Sequence, residues 1–289
     1  MTTSVREVAM PYKTILLHCN SKRRIEPLLA ATVTLAERFQ AHLLGLSVVP
    51  PVAVIATGVP HGPPMVIDAH CQLYRAENPA MKSAFEAAAQ GRALTAEWRE
   101  EEADVFGVAE RVLQYAGAAD LVVASQTDPQ WPGSERLDVA DRLAIESGRP
   151  VLIIPNSGVH KRVGEKVLVA WNGRREAVRA VFDALPLLQG AKDVRVIWVN
   201  PQSELERAQD VRAADICAAL ARHGVKCQAT EQIAPLASVG KTLLASAKDF
   251  EADLLVMGCY GHTRLREFVF GGASRHVLAH MSVPVLMSH

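Results

Sequence analysis

The residues best suited to chemistry lie near the carboxyl end of the chain. After the apolar run 254–257 come Gly258-Cys259-Tyr260-Gly261, then nine residues, 262–270, then Gly271-Gly272-Ala273-Ser274. This order predicts a strand, a glycine turn, an excursion and the first turn of a helix. Glycines in such a place let the backbone approach a ligand with no Cβ in the way. The N–H groups and dipole of a helix start favour an anion, so a phosphate chain suits the chemistry. The same glycines also serve simple tight turns, and spacing alone leaves both readings open. A second candidate is Asn172, which ends the apolar run 166–171. Ligands of open α/β sheets bind beyond the carboxyl ends of the strands, where Asn172 and the glycine segment both fall.

Other suggestive residues carry blander readings. Gly240-Lys241-Thr242 looks like the tail of a P-loop, but Pro235 stands where that motif needs its first glycine. A helix start with Ser238 as its cap is expected instead. His276 and His280 have the i, i+4 spacing of a zinc pair but no evident third ligand, and read as solvated. His61, His70 and Cys71 lack metal-site spacing. Trp171 suits either base stacking or the core, Arg264 and Arg266 either phosphate or solvent, and Cys259 is read as a small residue in the loop. No nucleophile or acid–base pair stands out, so binding is expected rather than catalysis.

The elements that must position these residues occur twice. Thr14-Ile-Leu-Leu-His-Cys-Asn20 matches Lys166-Val-Leu-Val-Ala-Trp-Asn172, Asp120-Leu-Val-Val-Ala matches Asp253-Leu-Leu-Val-Met, and Arg149-Pro-Val-Leu-Ile-Ile matches Val283-Pro-Val-Leu-Met-Ser. Three matches in one order indicate a duplication. Asn20 and Pro150 are 130 residues apart, Asn172 and Pro284 only 112. The surplus is assigned to the Pro- and Gly-rich stretch 50–79, read as a surface excursion. Short β-branched runs alternate with helical periodicity, the pattern of a parallel sheet covered by helices. In the second copy, strands are expected at 166–171, 194–199, 225–231, 253–257 and 284–288, and one helix over 176–188. Residues 156–164 read as the linker. The first copy has Ser125-Gln-Thr-Asp128 where the second has its glycines, and Asp128 would repel phosphate, so no nucleotide is expected there.

Bulk properties narrow the classes. At 289 residues two cores are the natural expectation, and 49% hydrophobic with 21% charged residues is ordinary for a soluble globular protein. Lys plus Arg and Asp plus Glu both number 31, which leaves no basic footprint for nucleic acid or an anionic membrane. The five cysteines are scattered, with no CxxC, as in a reducing compartment. No apolar leader or membrane-length run is seen, and the protein is expected in the cytoplasm.

The segment Gly258-x2-Gly261-x9-Gly271, followed by small residues, resembles the ATP-binding signature of the universal stress protein family, G-x2-G-x9-G-[ST]. The runs opening at Val167 and closing at Pro284 look like that family's first and last strands. The resemblance implies two tandem doubly wound domains of the adenine nucleotide alpha hydrolase type, each a five-stranded parallel sheet flanked by helices, over 1–157 and 163–289. It implies that Gly258, Gly261, Gly271, Gly272, Ala273 and Ser274 surround the phosphates of an adenine nucleotide, ATP foremost, with or without Mg²⁺. Asn172 would stand by the ribose and Val199 by the adenine, with Gly173, Met257 and His262 completing the site. Two departures stand out: Asn172 replaces the usual Asp, and Gly272 the usual Ser or Thr. The function implied is a stress-response regulatory module with a protein partner; a version working through protein contacts alone and a slow ATPase are the alternatives. In this family last strands often pair, so 151–154 and 283–287 are expected to join the copies as a pseudo-dimer, with homodimers a further option.

Overall fold

The structure is a computed structural model and describes residues 12–51, 72–104, 107–128, 130, 139–199, 212–235, 238–259 and 272–289. Compactness divides the chain into Lys13–Lys161 and Arg162–His289, and Tyr12 groups with the second unit, its hydroxyl donating to Asp183 O at 2.6 Å.

The first unit runs β1 (Thr14–His18), α1 (Ile25–Phe39), β2 (His42–Val49), α2 (Asn78–Ala89), β3 (Thr95–Glu102), α3 (Val108–Ala116), β4 (Leu121–Ser125), α4 (Ala140–Glu146) and β5 (Val151–Ile154). Its strands are all parallel, in the order β3-β2-β1-β4-β5. The second unit runs β6 (Lys166–Trp171), α5 (Arg175–Asp183), α6 (Leu185–Gln189), β7 (Asp193–Val199), α7 (Ala213–Arg222), β8 (Cys227–Gln232), α8 (Val239–Asp249), β9 (Leu254–Gly258), α9 (Gly272–His280) and β10 (Val285–Ser288). Its parallel order is β10-β9-β6-β7-β8. Each unit is therefore a doubly wound five-stranded parallel sheet whose winding reverses beside its first strand, between β1 and β4 and between β6 and β9.

Burial explains the strand sequences. The inner strands β1, β4, β6 and β9 are apolar and largely buried, as strands covered on both faces must be. The outer strands β3 and β8 read TAEWREEE and CQATEQ and stay half-exposed. Charged and polar side chains there discourage pairing with a foreign strand.

The duplication is visible in single hydrogen bonds. Asp120 N donates to Thr14 O and Asp253 N to Lys166 O, both at 2.9 Å. Gln126 N donates to Ile154 O at 2.8 Å and Cys259 N to Ser288 O at 3.0 Å. The two repeated aspartates share a task that their sequence match did not disclose. Asp120 Oδ2 accepts from the N–H of Lys13 and Thr14, at 2.7 and 2.9 Å. Asp253 Oδ1 accepts from Gly164, Glu165 and Lys166, at 2.8, 3.0 and 3.2 Å. Each carboxylate satisfies the amides that lead into its unit's first strand, where the sheet offers them no ladder partner.

Three expectations need correction. The single helix over 176–188 is two, α5 and α6, parted at Ala184 because Pro186, near the start of α6, cannot donate into a continuous helix. Ser238 precedes α8 without capping it, since its hydroxyl donates to Pro235 O at 2.8 Å. Within the stretch 50–79, residues 52–71 lie outside the described residues, but Pro79 belongs to α2, where a proline is tolerated in the first turn.

Candidate functional site

In the second unit the switch point lies between β6 and β9, whose register pairs Ala170 with Met257. The chain leaves β6 through Asn172 and Gly173. Asn172 is exposed, and its Oδ1 accepts from Arg174 N at 3.1 Å, an Asx turn. Gly173 takes φ +74, the left-handed value that spares a glycine the Cβ penalty, and the chain then turns into α5.

Across the switch point β9 ends at Gly258, where a Cβ would lie 2.4 Å from Glu176 C and 2.5 Å from Ala177 N. The backbone of α5's first turn thus lies directly on the end of β9. Glycine is required here by helix packing, whatever binds above it. Val199 ends β7 on the other flank of β6 and is buried, as is Met257 inside β9.

Gly272 opens α9, is exposed, and has no atom of the described residues within 4 Å of where a Cβ would be. Ala273 is half-buried and Ser274 buried. Because β9 and β10 are parallel and only residues 281–284 separate α9 from β10, α9 ends near the amino end of β10 and its first turn points toward the carboxyl edge of the sheet. Gly261, His262 and Gly271 lie outside the described residues, as do Arg264 and Arg266. The fold thus gathers Asn172, Gly173, Met257 and Gly258 on adjacent strand ends, with Val199 one strand further along.

The equivalent place in the first unit is built differently. Ser125 stands where the second copy has Gly258, and Arg24 where it has Glu176. The Arg24 side chain lies buried over the strand ends: Nε donates to Ser125 Oγ at 3.0 Å, and the guanidinium tips to Asn156 O at 2.8 Å and Pro155 O at 2.5 Å. Asp128 pairs with Arg23 at 3.6 Å. A protein cation and its carbonyl partners thus stand at Ser125, the counterpart of the glycine segment's first residue, Gly258. Arg24 went unremarked in the sequence; the signal was the third cation of Lys22-Arg23-Arg24, where the second copy has Arg174-Arg175-Glu176. His18, which ends β1, is fully buried, and burial pushes its imidazole down to about 4.

The remaining candidates resolve into structure. Trp171 is buried in the core. Gly240 lies inside α8 as a helix–helix contact, where a Cβ would come 2.8 Å from His276 Cβ and 2.9 Å from Ala273 O. His276 and His280 stack on each other at 4.3 Å between centroids, and His280 Nδ1 lies 2.9 Å from His276 O. Partial burial, then His280 and Lys241, hold His276 below the usual imidazole range. Among the described residues no three His, Cys, Asp or Glu side chains gather as a metal site, and no helix is long and apolar enough to cross a membrane.

Residues 165–289 match the model of the universal stress protein family. The second unit is a universal stress protein domain. No curated protein matches the sequence. Among solved structures, a universal stress protein from Archaeoglobus fulgidus DSM 4304 is similar over 95% of both chains at 16% identity, with a TM-score of 0.70. A functionally unknown protein from Pseudomonas aeruginosa PAO1 is similar over 96% of this chain and 93% of its own, at 17% identity and a TM-score of 0.59. The cytoplasmic domain of a prokaryotic cation chloride cotransporter is similar over 95% of this chain and 94% of its own, at 12% identity and a TM-score of 0.52. At these identities the likeness is one of fold. It spans both units, so the chain is a tandem arrangement: the universal stress protein domain second, and the same fold, with Arg24 over its strand ends, first.

Proposed function

We propose that the second universal stress protein domain binds an adenine nucleotide, ATP foremost, and that the protein acts in the cytoplasm as a stress-response regulatory module rather than a dedicated enzyme. The observation that supports this most is the asymmetry of the two switch points. Arg24 covers the strand ends in the first unit, whereas the second presents the exposed Asn172 amide, the Gly173 turn and the open first turn of α9 at Gly272, in the copy whose sequence carries G-x2-G-x9-G.

The residues fit the ligand in kind. An amide oxygen at Asn172 can accept from a ribose hydroxyl, and the exposed helix start at Gly272 can receive phosphate oxygens. Gly258 contributes by letting α5 seat on β9, which sets the height of the Asn172 turn above the sheet. Mg²⁺, where present, would travel with the phosphates. Binding stabilises the domain by mass action and biases the surface it offers a protein partner.

A melting curve with millimolar ATP tests the reading, and a rise in the transition temperature is expected. Asn172→Asp keeps the Asx turn and should tighten binding. Gly272→Ser, at a position with room for a side chain, should do the same without loss of stability. An unchanged melt in the parent and in both variants would leave protein contacts alone as the function and overturn the proposal.

A further inference from the structure

A cavity of about 650 Å³ lies in the first unit between α2 and the outer strand β3, a volume that suits a small molecule. Phe85, Glu86 and Gln90 beside α2 and Trp98 from β3 are among its walls, which include no residue of the Arg24 cluster.

Trp98 is half-exposed, yet firmly held. Its register partner on β2 is Gly45, where a Cβ would lie 2.6 Å from Phe85 Cε2 and 2.9 Å from Trp98 Cε3. The missing side chain lets both rings settle on the sheet, 5.4 Å apart between centroids and tilted by 52°. Trp98 Nε1 donates to Glu100 Oε1 at 2.9 Å, Asn78 Nδ2 to Glu100 Oε2 at 3.2 Å, and Ser47 Oγ to Asn78 Oδ1 at 2.8 Å. Ser47 and Asn78 are buried, so this chain anchors the indole to the interior. The fold does not demand such an arrangement. With Thr14 matched to Lys166, the strand registers put Val196 and Ala229 in the second unit where the first has Gly45 and Trp98.

The charges beside the ring are one-sided. Among the described residues, Glu86 is the only charged one in the wall, and its carboxylate has no hydrogen-bond or ion-pair partner. Glu100 accepts there only from the neutral donors Trp98 and Asn78, whereas Glu97 and Glu102 on the same strand pair with Arg99 and Arg75. Donation from the indole N–H to a carboxylate also pushes electron density into the ring. An electron-rich aromatic face close to carboxylates that lack a cation attracts a positive charge on an apolar body. We propose that this cavity binds a small organic ammonium ion. The cation sits at Trp98 and Glu86, and Gln90 offers a hydrogen bond to a polar end of the same molecule.

Choline and 3,3-dimethylbutan-1-ol share a shape and differ in one charge, so the pair tests the proposal. Each is titrated into the nitrogen-15-labelled full chain at an ionic strength fixed with sodium chloride, and the indole N–H resonances of the four tryptophans are followed. Trp98→Phe identifies the Trp98 resonance, and its Overhauser contacts with Phe85 do so without any variant. Choline should move that resonance to saturation, and the alcohol should bind about tenfold more weakly. Glu86→Gln, at an exposed position, should weaken choline about threefold. A Trp98 resonance that choline leaves in place, an equal drift of all four indoles without saturation, or equal affinity for the alcohol would overturn the proposal. Unchanged choline affinity in Glu86→Gln would overturn the role given to that carboxylate.

Discussion

Ser125 and Gly258 stand at the same place in the two copies, and the difference of one side chain organises everything around them. Ser125 offers a hydroxyl that Arg24 takes; Gly258 offers nothing, and the backbone of α5 moves in. Glycine spacing in the sequence located this place but could not separate a glycine that admits a ligand from one that admits a helix, because both need the same missing Cβ. The structure assigns Gly258 to packing and, among the described residues, puts nothing against Gly272. Gly258→Ala should therefore destabilise the second unit by about 2–3 kcal/mol, as overpacking against backbone does, even in the absence of nucleotide. Urea unfolding of the ligand-free protein measures it. Gly272→Ala, by contrast, should leave the midpoint nearly unchanged.

Among the elements, the inner strands were legible because burial on both faces demands long apolar runs, and β6 spans the same residues as its apolar run. The break between α5 and α6 was not legible, since the apolar periodicity runs on through Pro186 and only the backbone shows where a proline interrupts it. The candidate site was legible as strand ends. Its closure in the first unit was not, because Arg24 meets Ser125, Pro155 and Asn156 only after the sheet has formed. The aspartate before β9 was matched to its twin before β4 with no hint of its role. Asp253→Ala strands the amides of Gly164, Glu165 and Lys166, and should cost about 2–3 kcal/mol. Hydrogen exchange should quicken first at those amides and at the start of β6. Unchanged exchange there would show that solvent serves them equally well.

For the molecule as a whole, His18 sets an acid limit. Its Nε2 is buried without a hydrogen-bond partner among the described residues, and burial holds the imidazole at about 4 against 6.5 when unfolded. The unfolded chain therefore binds this proton more readily than the folded one. The stability tied to neutral His18 is complete above pH 6.5, falls as pH drops from 6.5 to about 4, and is flat below that. The drop amounts to about 3 kcal/mol. Denaturant midpoints measured across that window should show the slope in the parent and a shallower one in His18→Leu. Equal slopes would place the acid sensitivity elsewhere.

Tyr12 is buried with the second unit, yet it precedes the whole of the first. The second unit is thus discontinuous in sequence, and the first is threaded into it like an inserted domain. During synthesis Tyr12 emerges before β1, but its acceptor at Asp183 follows only after β5 is complete. The first unit can close around its own core as it leaves the ribosome. The second must wait for its own strands before Tyr12 has a carbonyl to meet, so a fragment cut at residue 162 lacks a side chain that belongs to it.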